Sequence, residues 1–110
     1  MQTSKALFGQ SVQATAPVKG RTFAGFDGAT AAPKAAALGA FRTDASIGEM
    51  VTAEQIGTSL VIAAEALAQG DAIEVGANGT AAKHTDGVVV GRAVHGGAAG
   101  AAVEVFLIHA

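Results

Sequence analysis

The chain of 110 residues has no cysteine, no tryptophan and no tyrosine, and only five phenylalanines and two prolines. Without cysteine there are no disulfides and no thiolate metal sites. Without aromatic platforms there is little for a nucleic-acid base to stack on. Charge is thin as well, with seven basic and nine acidic residues and a formal net charge of −2. The basic residues are scattered (Lys5, Lys19, Arg21, Lys34, Arg42, Lys83, Arg92), with no stripe to track a phosphate backbone. Nucleic acid is therefore not an expected partner. No apolar run approaches the ~18 residues of a membrane span, and the N-terminus lacks the apolar core of a signal peptide. The reading is a chain without membrane contact, made and kept in the cytoplasm.

What the chain has instead is alanine and glycine. Alanine is about a quarter of it, and its 15 glycines are well above the usual ~7%. Such a composition supplies little apolar area at ~25 cal/mol per Å². One thin core is expected, and completion by an oligomer or another partner becomes attractive.

A short phrase recurs: small residues, a glycine, an acid, then a strand-forming residue. It reads Ala45-Ser46-Ile47-Gly48-Glu49-Met50-Val51, then Leu67-Ala68-Gln69-Gly70-Asp71-Ala72-Ile73, then without the acid Ala98-Ala99-Gly100-Ala101-Ala102-Val103. Glycine takes the backbone to positive φ and alternating apolar residues follow, so each copy predicts a turn launching a strand. Its acids are expected to satisfy local backbone N–H groups or to stay in water. Strands are predicted at 18–26, 37–42, 51–56, 59–62, 72–75, 80–83, 88–94 and 103–108. Gly57-Thr58 is read as a turn between two of them, and Asn78-Gly79 as a tight hairpin. The run 29–37 reads as a loop, and the alanine-rich 63–68 as a loop rather than a helix. The fold class is mainly β: a small single-domain barrel or sandwich of about seven or eight short strands at 18–110, preceded by an extended N-terminal arm at 1–17.

Chemistry is sparse in this pattern. His84, His95 and His109 have no spacing that proposes a metal site and read as solvated surface. Ser11, Ser46 and Ser59 lack a nucleophile-elbow setting. Gly96-Gly97-Ala98-Ala99-Gly100 is glycine-rich, but no Lys-Ser/Thr follows to make a phosphate loop. No catalytic residue, metal or cofactor is expected, and the chain is not read as an enzyme.

The order of phrases from residue 37 onward resembles the capsid cement, or head decoration, proteins of tailed bacteriophages. The resemblance lies in Leu38-Gly39-Ala40-Phe41-Arg42-Thr43-Asp44-Ala45, Gly48-Glu49-Met50-Val51 and Ala68-Gln69-Gly70-Asp71-Ala72-Ile73-Glu74-Val75. It continues through Asn78-Gly79, Val89-Val90-Gly91-Arg92-Ala93 and the closing strand Val103-Glu104-Val105-Phe106-Leu107. Gly100-Ala101 departs from it, because the family has an acid after that glycine. The resemblance implies a virion protein on the outer surface of an icosahedral head, holding capsomers together against internal DNA pressure. The implied partner is the major capsid protein, and the implied state a homo-oligomer, a trimer in preference to a dimer. On this view Leu7, Phe8, Val12 and Val18 of the arm, Pro33 of the 29–37 loop and Phe106 of the last strand are the expected capsid or subunit contacts. Two other readings compete. One is a β-rich carrier or small-ligand module, for which Lys83 is the sole candidate lysine and has the wrong flanks. The other is a tail-tube or fibre component.

Overall fold

A computed structural model describes residues 5–108, and the side chains from Gly9 onward. Eight strands carry the fold: β1 (Lys5–Gln13), β2 (Phe23–Ala24), β3 (Gly39–Phe41), β4 (Met50–Ile62), β5 (Ala72–Val75), β6 (Ala81–Lys83), β7 (Gly91–Ala93) and β8 (Ala102–Leu107). All neighbours are antiparallel, in the order β2-β3-β4-β8-β7-β5-β6, with β1 also on β4. The sheet curls until it is nearly closed as a barrel. This is the all-β single domain that the sequence predicts.

The register reveals more than a barrel. Val12 lies opposite Val51 and Gln13 opposite Met50; in the same relation Val61 lies opposite Val103 and Ile62 opposite Ala102. Across β2, β3 and β4, Phe23 pairs with Ala40 and Ala40 with Glu54. Across β5, β7 and β8, Ala72 pairs with Arg92 and Arg92 with Phe106. Isolated bridges match too, Val18 with Ala45 and Leu67 with Gly97. The chain is thus one structural unit used twice, at 9–54 and at 58–106. β4 closes the first unit and opens the second.

Each unit has two copies of the turn. In three of the four, glycine holds positive φ: Gly48 at 86°, Gly70 at 85° and Gly100 at 85°. The N–H groups of Glu49, Asp71 and Ala101 donate to the carbonyls of Ser46, Ala68 and Ala98 at 3.0, 3.1 and 3.1 Å. Glycine at the third position of such a turn is the type II arrangement. The acids close the turns from outside: Glu49 Oε1 accepts from the Ser46 N–H at 2.6 Å and Asp71 Oδ2 from the Ala68 N–H at 2.9 Å. The fourth copy begins at Val18. Its positive φ falls on Arg21, at 63°, while the glycine of this turn stands one position earlier, at Gly20. The bonding is nonetheless equivalent: Arg21 N–H donates to the Phe41 carbonyl at 2.8 Å, as Gly70 N–H does to Ala93 at 2.7 Å.

Each unit has its own core at matching positions. The first holds Ala14, Val18, Ala24, Phe41, Val51 and Ala53. The second holds Ala63, Leu67, Ile73, Ala93, Val103 and Val105 in the same places. One large ring, Phe41, fills the first where Ala93 stands in the second, and Ile73 and Val105 replace Ala24 and Ala53. The volume is kept while its owner changes. Phe23, Ala31, Ala37 and Ala40 of the first unit then join the second core, so the first unit seals the second.

Several boundaries differ from those predicted. Gly57-Thr58 makes no hairpin; β4 runs straight through as a 13-residue strand, with Gly57 at φ 103° absorbing the passage between units. The predicted strands at 18–26 and 88–94 shrink to β2 and β7, because their remaining residues bond as bridges and turns. Residues 5–13, read as part of an arm, form β1 on β4; residues 1–4 lie outside the described part. The Asn-Gly hairpin is present, with Asn78 at φ 58° and Gly79 at φ 74°.

Candidate interaction surface

Buried charges are where a site for chemistry is expected. Glu54, Glu74 and Glu104 are all buried, yet each carboxylate is engaged. Glu54 accepts from the Ser59 hydroxyl at 2.6 Å and lies 3.4 Å from the Arg42 guanidinium. Glu104 accepts from the Thr58 hydroxyl at 2.7 Å, with His95 Nε2 at 3.6 Å. Glu74 accepts the N–H groups of Thr85 and Gly87 at 2.8 and 3.0 Å. Those two N–H groups hold the Glu74 carboxyl below the ordinary carboxylate range, with Lys34 adding to the effect. Lys34 pairs with Asp86, which raises the amine and lowers the acid. These groups tie the 84–88 loop to β5 and to Lys34, whose own backbone donates to Val75 at 2.9 Å and accepts from Val88 at 3.1 Å. Every buried side-chain polar atom among the described residues has a partner. The arrangement is structural bracing.

The histidines do not converge. His84 Nε2 lies 2.8 Å from the Gly87 carbonyl and His95 faces Glu104; His109 lies outside the described residues. Among the described residues no cluster of three metal-ligating side chains forms. Lys83 sits on β6 rather than at a hairpin tip, with its N–H on Glu65 and its amine 3.9 Å from Asp71. A polar recess of about 150 Å³ opens beside β4 between Arg21, Arg42, Glu54 and Ser59.

What the surface does offer is apolar. Phe26, Ile47, Met50, Ile56 and Phe106 are each between 51% and 70% exposed. Ile47 and Met50 flank one turn of the first unit. Phe26 lies beside Ala36, Val89 and Ile108 around a shallow recess of about 60 Å³. Phe106 stands on the outer face of β8, in line with Arg92 and Ala72.

The residues expected as contacts are dispersed over this surface and beneath it. Leu7 and Phe8 lie on β1, and their side chains are outside the described part. Val12 is half-buried against the first core, and Val18 is within it at 4% exposure. A buried Val18 is a core residue of this chain, with no face to give a neighbour. Pro33 and Phe106 are exposed. The sequence reading passes over Ile47, Met50 and Ile56. Their signal was present: an isoleucine and a methionine beside a turn glycine have no core to enter.

No protein-family profile matches the sequence, and no curated protein matches it. Among solved structures the chain is similar to the N base of head fiber gp8.5 in bacteriophage phi29, with a TM-score of 0.75 and 22% identity. The match covers 92% of this chain and 93% of that one. The two share a fold from end to end.

Proposed function

We propose that this chain is a structural protein of a bacteriophage virion, seated on the outer surface of the icosahedral head. There it binds the major capsid protein and reinforces contacts between capsomers, acting as a homo-oligomer, a trimer in preference to a dimer. The observation that carries the reading is the end-to-end fold shared with a head fiber base. The surface is in keeping with it: braced carboxylates, exposed apolar side chains and two small cores. A protein that binds only the expanded lattice stabilises that state by mass action, without chemistry of its own.

A second reading has specific support, since the similar structure is itself the base of a head fiber. In that case the chain is a seat for a projecting part rather than a clamp between capsomers. One experiment addresses both. Purified chain is added to expanded heads lacking it, followed by co-sedimentation, cryo-electron microscopy and thermal challenge of the heads. Density bridging capsomers, with a raised temperature of head rupture, supports cement. Density at isolated positions with unchanged rupture supports a fiber seat. Chain left in the supernatant refutes both.

A further inference from the structure

The duplication makes one surface conspicuous. In the first unit the row Phe23–Ala40–Glu54 is sealed, each residue no more than 3% exposed. The matching row of the second unit, Ala72–Arg92–Phe106, is open: Arg92 is exposed and Phe106 is 52% exposed. The first row is sealed because the second unit packs on it, and a backbone bond fixes the joint, from the Ile62 N–H to the Arg21 carbonyl at 2.8 Å. The counterparts of those two groups are the Gln13 N–H and the Gly70 carbonyl. Ladder bonds alternate along an antiparallel strand. Because the Ala14 N–H bonds the Glu49 carbonyl, just beyond the ends of β1 and β4, the Gln13 N–H points away from β4, to the outer edge of β1, where Gly28 lies against the neighbouring Gln13 carbonyl. Among the described residues it has no acceptor. The Gly70 carbonyl is covered by the Arg92 guanidinium at 3.1 Å, a stand-in for a missing strand edge.

We propose that a second copy of this chain docks head to tail, with the Ala72–Arg92–Phe106 row and Gly70 turn of one copy against the β1 edge of the next. The contact repeats between chains the joint that already exists within one. It deepens the oligomer proposed above and rests on that part of it, but not on head binding. The partner is specified by the chain itself, which carries both halves of the joint and leaves one of each unused. An aromatic and an arginine in the middle of an open sheet face have the character of an interface centre. The contact is heterologous, so a given rotation either closes a ring or propagates a filament.

The test uses sedimentation velocity on the full chain over a range of concentrations. Phe106→Asp breaks the row, and Gln13→Pro removes the edge donor at a position where proline is compatible with an outward-facing N–H. Each alone is expected to weaken association by about thirtyfold or more, the scale of an interface centre. Mixed in equal amounts they should form a species of two chains and nothing larger, because each retains the half that the other lacks. Circular dichroism and thermal melts check folding, and Arg92→Glu and Ser11→Pro serve as second variants for row and edge. A wild-type chain that stays monomeric overturns both this contact and the proposed oligomer. A wild-type oligomer that survives the substitutions, or a mixture that stays monomeric, overturns only the head-to-tail contact. Binding to heads is assayed separately, so failure of the contact and failure of head binding are told apart.

Discussion

If the two units are truly equivalent, the packing solution of one core should rescue a defect made in the other. Phe41 is fully buried in the first core, and Phe41→Ala at such a site costs about 3–5 kcal/mol. Against the ~5–15 kcal/mol available to a domain, that is a large share of the total. The second core has alanine at this position and fills the space with Ile73 and Val105, where the first has Ala24 and Ala53. Adding Ala24→Ile and Ala53→Val returns about five of the roughly six carbons removed, leaving a deficit of about 1 kcal/mol at ~0.8 kcal/mol per methylene. In the wild-type chain the same pair overfills the core and should cost about 1–3 kcal/mol. The sign therefore reverses with the occupant of position 41. Urea unfolding of the four chains gives the coupling directly, provided the slope with denaturant stays constant. If the isoleucine–valine pair lowers the stability of Phe41→Ala as it lowers that of the wild type, the equivalence of the cores is refuted.

Three other outcomes follow from the same geometry. Gly39 and Gly91 occupy matching positions, and a Cβ at either runs into the carbonyl of its matching partner, Glu54 or Phe106; at Gly48 only the positive φ opposes a side chain. Gly39→Ala should therefore lower stability by about 2–4 kcal/mol and Gly48→Ala by about 1 kcal/mol, an order that thermal melts would confirm or invert. Arg21→Gly places glycine where the other three turns have it and should stabilise the chain by about 0.5–1 kcal/mol, read as a rise in Tm. The Glu74 carboxyl is depressed in the folded chain, so its contribution is present above the ordinary carboxylate pKa and is lost as pH falls through the depressed value. Protection of the Thr85 and Gly87 amides, their exchange measured against the intrinsic rate at each pH, should fall on acidification in that window, and Glu74→Gln should lower it at neutral pH. Unchanged exchange in that variant would mean that Glu74 does not hold the loop.

The turns were the legible part of this sequence. Gly48, Gly70 and Gly100 announce themselves because positive φ favours a residue without a Cβ, and Asn78-Gly79 does so for the same reason. The fourth turn is silent because its left-handed position belongs to Arg21, held there by bonds to Phe41 and Ile62 that no local pattern reveals. The duplication is hidden for a related cause. Phe41 matches Ala93 and Ala24 matches Ile73, so what is repeated is a filled volume rather than a residue. Gly57 misleads in the other direction: a glycine between apolar runs reads as a reversal, whereas pairing with β1 on one side and β8 on the other keeps the strand going. Polar β1 offers little hydrophobic signal because it lies at a sheet edge, bonded through its backbone. The exposed row at Phe106 became visible only by comparison with the sealed row at Phe23.

The shared strand has a mechanical consequence. β1 and β8 both lie lengthwise along β4, and the two ladders meet at Thr58, which faces Lys5 on one and Phe106 on the other. A tension drawn between β1 and β8 loads these ladders in shear, so that many bonds resist together instead of opening like a zip. Gly57, next to that meeting point, is the natural flexure. A load on one unit passes to the other through a single unbroken backbone, and neither half can yield without first straining the member they hold in common.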